Sequence, residues 1–380
     1  MGRLEKQPTD LREIDILCET ESKTMTNLDV LIITKNEELD DWCGTLEKFE
    51  PIAVDTEGDS LHCYFEKLCL IQIGLPGQNV LIDPLGPLDF SRFNSILAAK
   101  RIILHGCDYD LRMLRRGTKF VPGAVFDTYL AARLIGLKEV GLASLVKEFF
   151  NIELPKSSQK ANWSRRPLTQ TMIQYAINDT RYLCDLAERL SNELHTRGRR
   201  DWFQESCQRA VLAAGEDREK DPERVWKIPG STALRGRALA VLRALWRWRD
   251  AEAQKADRPS FQVLRNEELI QLAKLAGEGT VRIPLGVQGS RRKRLHVVLQ
   301  QALQLPESEW PQRAHPVRMR ATNEQEQRLE QLKNRRDRLA EGLQLDPGVV
   351  APRQALERIS REPETVGSVL MQWQRQLLDL

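Results

Sequence analysis

Two acids close the apolar run Ile52-Ala53-Val54-Asp55-Thr56-Glu57-Gly58, and their spacing is the first sign of chemistry in this chain. The run reads as a buried strand. Successive strand side chains point to opposite faces, so Asp55 and Glu57 share one face while Val54 and Thr56 share the other. Carboxylates that close together repel, and the repulsion lifts one pKa unless a cation lies between them, which makes a divalent metal their natural partner. On this run alone the plainer reading, an acidic strand end facing water, is the stronger.

Other acids shift that balance. His105-Gly106-Cys107-Asp108-Tyr109-Asp110 follows a short apolar run at 101–105, so Asp110 falls in the first turn of the next helix and can face the same sheet end. An acid there also simply suits the helix dipole. Tyr175 and Asp179 lie four apart in a helical pattern from 169 to about 194, so both project from one face. Met172, Ala176 and Leu183 make that face apolar, and burying an unpaired carboxylate on it is too costly for a plain core role.

The elements that must position these residues follow from the flanking pattern. Residues 28–34 are a short apolar run, and Asn36 is a plausible N-cap for the helix after it. Residues 68–74 and 79–83 read as strands joined by the Pro76-Gly77-Gln78 turn, which with the acidic strand makes an antiparallel meander. Beyond it, a helix near 90–98, the strand at 101–105, a helix from Tyr109 and a strand at 124–126 alternate, which adds parallel strands to the sheet. The class is α/β, with sites at strand ends.

Composition sets broad limits. With 380 residues, 41% hydrophobic and 29% charged, the chain can bury a sizeable core in two or three domains. A net charge of +3 neither demands nor excludes nucleic acid; only clustering would matter. The 7 cysteines include no Cys-x-x-Cys pair and have no histidine at zinc-ligand spacing, so they read as reduced thiols in a cytoplasmic setting. No apolar run approaches the roughly 18 residues that span a bilayer, and the polar stretch 1–26 reads as a loose leader.

Val54-Asp55-Thr56-Glu57, then residues 105–110, then Asn162-Trp163-Ser164-Arg165-Arg166-Pro167-Leu168 leading into Tyr175 and Asp179, resemble in order and spacing the three exonuclease motifs of ribonuclease D. That family belongs to the DEDD 3′–5′ exonucleases, in the subtype with Tyr-x-x-x-Asp in the third motif. The resemblance covers about 27–210 and implies a ribonuclease H-like mixed-sheet domain. It implies Asp55, Glu57, Asp110 and Asp179 as metal ligands and Tyr175 as the residue that orients the attacking water. Two divalent ions, Mg2+ or Mn2+, roughly 4 Å apart, would serve the nucleophile and the leaving oxygen. A tyrosine whose reference pKa is about 10 suits orientation better than proton abstraction.

One departure stands out: Gly58 occupies a place where many bacterial members carry Phe, so contact with the last base would weaken or pass to Leu61, Tyr64 or Phe65. His105 reads as a packing or hydrogen-bonding residue. Trp163 and Arg166 are candidates to touch RNA, although Trp163 suits packing of the loop equally well.

The charged run at 215–222 reads as part of a linker over 211–222. Residues 223–305 resemble an HRDC domain, an all-α module that in ribonuclease D helps bind structured RNA. Leu245-Trp246-Arg247-Trp248-Arg249-Asp250 is echoed by Leu332-Lys333-Asn334-Arg335-Arg336-Asp337, with Leu269 and Leu356 at matching distances. This suggests a second, degenerate HRDC-like bundle at 322–380 after a linker at 306–321, although unrelated amphipathic helices share part of such a pattern. Arg291, Arg292, Lys293 and Arg294, with His296, Arg313, Arg318 and Arg320 beyond, form a basic stretch that would attract phosphates in a salt-sensitive way. Plain solvated surface explains it as well.

The resemblance therefore implies a 3′–5′ exoribonuclease that releases 5′-monophosphates, acting in the cytoplasm on structured RNA such as transfer RNA precursors. A DNA 3′–5′ exonuclease stays open, because no residue certainly reads a 2′-hydroxyl. A catalytically silent RNA-binding adaptor is the second alternative, and the complete acid set argues against it.

Overall fold

A computed structural model of the chain describes residues 30–155, 158–216, 221–311 and 321–380. The expected leader at 1–26 lies outside the described residues, as do Arg313, Arg318 and Arg320. Six strands, β1 (Leu31–Ile33), β2 (Ile52–Gly58), β3 (Leu68–Leu75), β4 (Gln78–Ile82), β5 (Arg101–Leu104) and β6 (Ala124–Asp127), form one sheet in the order β1-β4-β3-β2-β5-β6. β2, β3 and β4 are the antiparallel meander, while β5 joins β2, β6 joins β5 and β1 joins β4 in parallel. The sheet is covered on both faces. β3 is accordingly buried along its whole length and reads as a nearly continuous apolar run.

The helices α1 (Asn36–Leu46), α2 (Ser91–Ala99), α3 (Asp108–Thr118), α4 (Thr128–Ile135), α5 (Leu142–Phe150), α6 (Gln170–Arg181), α7 (Leu183–Thr196) and α8 (Arg200–Gly215) follow in chain order. The period of two along β2 decides what each face meets. Val54 enters a core with Trp42, Leu46, Phe93 and Leu114, whereas Ala53 enters one with Ala131, Leu183 and Leu186. A third cluster seats α6 on the meander through Leu70, Leu81, Met172 and Ala176.

Some boundaries differ from the sequence reading: Lys35 rather than Asn36 is the N-cap residue of α1, and α3 opens at Asp108. The pattern from 169 to about 194 is divided at Tyr182 into α6 and α7. Gly74 lies under this division, where a Cβ would meet the Thr180 carbonyl oxygen at 2.7 Å, so helix and sheet backbones approach more closely than a side chain allows. α8 runs on into the expected linker because Ala210, Val211 and Ala214 still have a core to pack against.

Beyond it, α9 (Gly236–Lys255), α10 (Ser260–Val263), α11 (Asn266–Gly277) and α12 (Gly289–Leu303) enclose a core of their own around Leu242, Leu245, Trp248 and Leu269. The last helices are α13 (Asn323–Leu343), α14 (Pro347–Val350), α15 (Arg353–Arg361), α16 (Val366–Val369) and α17 (Gln372–Leu378). The sequence echo has a geometric counterpart. Arg249 donates to the Leu264 carbonyl and Arg336 to the Ala351 carbonyl, 15 residues downstream in both cases. Asp257 and Gln344, just past the first helix of each set, both adopt positive φ, 42° and 55°.

The two sets differ in what they bury. Leu332, Val350, Leu356 and Trp373 share one core with Ala131, Leu186 and Phe203 of the sheet domain. Trp373 stacks on Trp202 at 4.7 Å and is 4% exposed. Trp373→Ala is therefore expected to cost about 3–5 kcal/mol in denaturant unfolding of the whole chain. A loss below about 1 kcal/mol would show that this helix stabilises nothing outside its own bundle.

Candidate active site

The pleat of β2 sends Asp55 and Glu57 toward α6, where Asp179 meets them: carboxylate oxygens of the three lie within 4.8 Å of one another. Tyr175, one turn before Asp179, lines the same cleft, and its ring lies 6.0 Å from that of Trp163. Asp110 arrives on α3. Its Oδ1 accepts from the Thr56 amide at 3.1 Å and the Thr56 hydroxyl at 2.6 Å, which holds it beside the trio. All five side chains expected to act line one cleft of about 570 Å³ at the end of β2, where a register shift between Glu57 and Gly58 interrupts the ladder.

Burial raises the pKa of every acid in this cleft. Asp55 stands well above the carboxylate range, through burial first and then through Asp110, Asp179 and Glu57. Glu57 is pushed up to about 9 by burial and then by Asp179 and Asp110. Asp110 and Asp179 rise to about 7, burial outweighing the hydrogen bonds from Thr56 and Tyr175. The Tyr175 hydroxyl is raised too, by burial and the neighbouring acids, so it stays protonated. Carboxylates that cannot all ionise without a counter-charge are the donor set a hard divalent cation requires. Gln72, paired across the ladder with Asp55, is fully buried, and its amide has no partner among the described residues.

Some residues that shape the site escape a sequence reading. Asp127 accepts from the amides of Gly106 at 3.0 Å and Cys107 at 2.9 Å, and caps α4 by accepting from Tyr129 and Leu130. Asp-Thr before an apolar helical stretch is a readable N-cap signal, but the bonds to the loop just before α3, the helix that carries Asp110, have no local signature. Asp127→Ala strips four donors of a buried acceptor. It is expected to cost about 3 kcal/mol in unfolding and to slow turnover as that loop loosens. Unchanged stability and turnover together would remove Asp127 from this role.

His105 is fixed in one tautomer. The Thr128 hydroxyl spends its proton on the Leu104 carbonyl at 3.0 Å, so in its 2.9 Å contact with His105 Nδ1 it must accept. Burial lowers the His105 pKa, leaving a neutral ring packed edge-on against Tyr129.

Several expected contacts with RNA are engaged elsewhere. Trp163 is 1% exposed in the core under α6. Arg166 donates to Asp83 and to the carbonyls of Cys69, Trp163 and Arg165, so it ties down the loop before α6. Leu61, Tyr64 and Phe65 are not among the cleft residues, and the Tyr64 hydroxyl donates to Asp250 on α9. In the basic stretch, Arg291 and Arg294 both pair with buried Glu252, while exposed Arg292 and Lys293 on α12 pair with no acid among the described residues.

Comparisons with known proteins follow the same division of the chain. A family described as 3′–5′ exonuclease matches residues 30–195, and the HRDC domain family matches 238–277. The chain is 34% identical over 276 residues to a ribonuclease D of Pseudomonas paraeruginosa, covering 69% of this chain and 71% of that protein. It is 31% identical over 290 residues to a ribonuclease D of Haemophilus influenzae, covering 74% and 72%. Among solved structures, a protein from Bifidobacterium adolescentis superposes with a TM-score of 0.78 at 26% identity, over 92% of this chain and 94% of that one. RNase D of Escherichia coli, described as an exoribonuclease involved in structured RNA processing, superposes with a TM-score of 0.68 at 25% identity, over 93% and 99%.

Proposed function

The chain belongs to the ribonuclease D family of 3′–5′ exoribonucleases, and we propose that Asp55, Glu57, Asp110 and Asp179 hold two divalent ions, Mg2+ or Mn2+, while Tyr175 orients the attacking water. The observation that carries this reading is the convergence of three half-buried carboxylates within 4.8 Å, with Tyr175 in the same cleft. Such ions, when bound, supply charge neutralisation at the scissile phosphate and activation of water. Asp110 has only Oδ2 to offer, since Thr56 occupies Oδ1. Tyr175, held protonated, can orient the water by hydrogen bonding but cannot serve as a base.

The substrates in this reading are structured RNAs such as transfer RNA precursors, processed in the cytoplasm. No helix among the described residues is long and apolar enough to cross a membrane. The exonuclease domain at 27–210, the HRDC domain at 223–305 and a second HRDC-like bundle at 322–380 act on one RNA, with Arg292 and Lys293 meeting its backbone. Replacing both by Ala is expected to weaken RNA binding and to reduce the slope of log affinity against log salt by about 1 per lost phosphate contact. Titrations at several salt concentrations check this, and an unchanged slope would return both residues to plain surface.

The test of the whole reading is a timed digestion of a 3′-extended structured RNA labelled at its 5′ end, with magnesium, manganese or a chelator, beside a DNA strand of matched sequence. A metal-dependent ladder that shortens the RNA from its 3′ end supports it. Shortening of the DNA alone favours a DNA exonuclease, and RNA bound without shortening favours the adaptor.

A further inference from the structure

His105, Tyr109 and Tyr175 are the aromatic rings of the cleft. His105 is tied to Thr128 and Tyr129, and Tyr175 stands beside Trp163 and Asp179. Tyr109 differs from both: it is 40% exposed. Its hydroxyl donates to Glu66 Oε1 at 2.7 Å, and Glu66 also pairs with Arg116 at 3.5 Å. That hydroxyl rests over Gly58, the residue directly after Glu57. A Cβ on Gly58 would overlap it and would press on the Met113 methyl group at 3.3 Å. With Tyr109 in this position Gly58 serves by its lack of a side chain and not by its backbone conformation, since its φ is not positive. The end of β2 is left without a side chain, and the hydroxyl end of a tyrosine from α3 lies in the room this leaves.

The loop that carries Glu66 is held from two sides. Within it, Asp59 accepts from the Lys67 amide at 2.8 Å and pairs with the Lys67 ammonium at 3.1 Å. From the helical region, Asp257 accepts from the amides of Tyr64 at 3.0 Å and Phe65 at 3.1 Å, and Asp250 accepts from the Tyr64 hydroxyl at 3.1 Å. Glu66, and through it the Tyr109 ring, is therefore set by contacts that reach as far as α9.

A nucleotide brings a phosphate and a base into such a cleft. The carboxylates account for the phosphate chemistry, and the base needs flat apolar surface. Tyrosine offers a large rigid face with few rotatable bonds, and the other apolar lining is aliphatic: Leu142, Ala143, Leu154 and Pro155.

We propose that Tyr109 is a specificity-determining residue, the platform on which a base at the RNA 3′ end stacks, and that Gly58 leaves room for its hydroxyl end. The inference rests on the exonuclease reading above. Every base has a π face, so this surface requires that a base be present and is indifferent to which one it is.

The test compares initial rates on one RNA ending in an ordinary nucleotide and on the same RNA ending in an abasic ribonucleotide. The full-length protein is used unaltered and as Tyr109→Ala and Tyr109→Phe. The unaltered protein should lose about 5- to 150-fold in kcat/KM on the abasic end, the range spanned by stacking one base on an aromatic ring. Tyr109→Ala should lose as much on the ordinary RNA and show no further loss on the abasic one, while Tyr109→Phe, which keeps the ring, should retain most of the activity. Full discrimination by Tyr109→Ala, or a loss in Tyr109→Phe as large as in Tyr109→Ala, would overturn the proposal. If the unaltered protein hydrolyses neither RNA, the exonuclease reading fails. Equilibrium binding of the two RNAs then decides this inference separately, with equal affinities overturning it.

Discussion

Asp55→Asn and Asp179→Asn are each expected to lower RNA hydrolysis by about 1,000-fold or more, while RNA binding stays near its original strength. Both residues belong to the carboxylate trio, and both sit where burial and mutual repulsion disfavour ionisation. Asn preserves the shape and some hydrogen bonding but removes the charge a divalent ion needs. The same change relieves repulsion in the metal-free fold, so each variant should melt at or above the temperature of the unaltered protein measured in chelator. That second readout separates a lost ligand from a lost fold. Single-turnover digestion and thermal melting of the same preparations check the expectation. Turnover within about tenfold of the unaltered protein would sink the ligand assignment, and a lowered melting temperature would show that the residue supports the fold instead.

Without metal, the protein should lose several kcal/mol of stability between about pH 5 and about pH 9, and a divalent ion should restore more of it the higher the pH. The sign follows from proton counts. Unfolded Asp and Glu release their protons near pH 4, whereas in the fold Asp110 and Asp179 hold theirs to about 7 and Glu57 to about 9. Between those limits the native state binds more protons than the unfolded one, so stability falls as pH rises. The penalty is absent below about pH 4, and the parts from Asp110, Asp179 and Glu57 are in place above about pH 9, with Asp55 raised in the same direction. Buried, neutral His105 has the opposite slope below about pH 6.5, and the cysteine thiols, raised by burial, add a loss of their own as unfolded Cys ionises near pH 8.5, so the gap between metal and chelator from pH 7 to pH 9 is the readout that isolates the acids. A divalent ion displaces these protons, so the melting temperatures in chelator and in magnesium or manganese should diverge from pH 7 to pH 9. A constant gap, or a metal-free protein that gains stability toward pH 9, would contradict the crowded-carboxylate account.

What could be read from the sequence about this site has short range. The alternation along residues 52–58 is a property of any strand, and it places Asp55 and Glu57 on one face regardless of what covers them. The four-residue step from Tyr175 to Asp179 is likewise a property of any helix. The meander, the alternating strands and helices after it, and the echo between the two C-terminal helix sets also follow from local periods and turn residues.

Partners far apart in the chain were decided by tertiary structure, because the choice depends on which faces meet. Asp110 is held by Thr56, 54 residues away, and Asp127 fixes the loop before α3 from 20 residues downstream. Arg166 has the charge and length for phosphate, yet its pairing with Asp83 and its bonds to the carbonyls of Cys69, Trp163 and Arg165 commit it to the fold. Arg291 and Arg294 lose their free charge to Glu252 because α12 packs on α9. The C-terminal helices carry the pattern of a self-contained bundle, but their apolar faces find α4, α7 and α8 and complete a shared core. Gly58 alone is only an absence, and only the fold brings the Tyr109 hydroxyl over it from α3. Local spacing chose the chemistry of the acids, and the packing of distant faces decided which other side chains are free to join it.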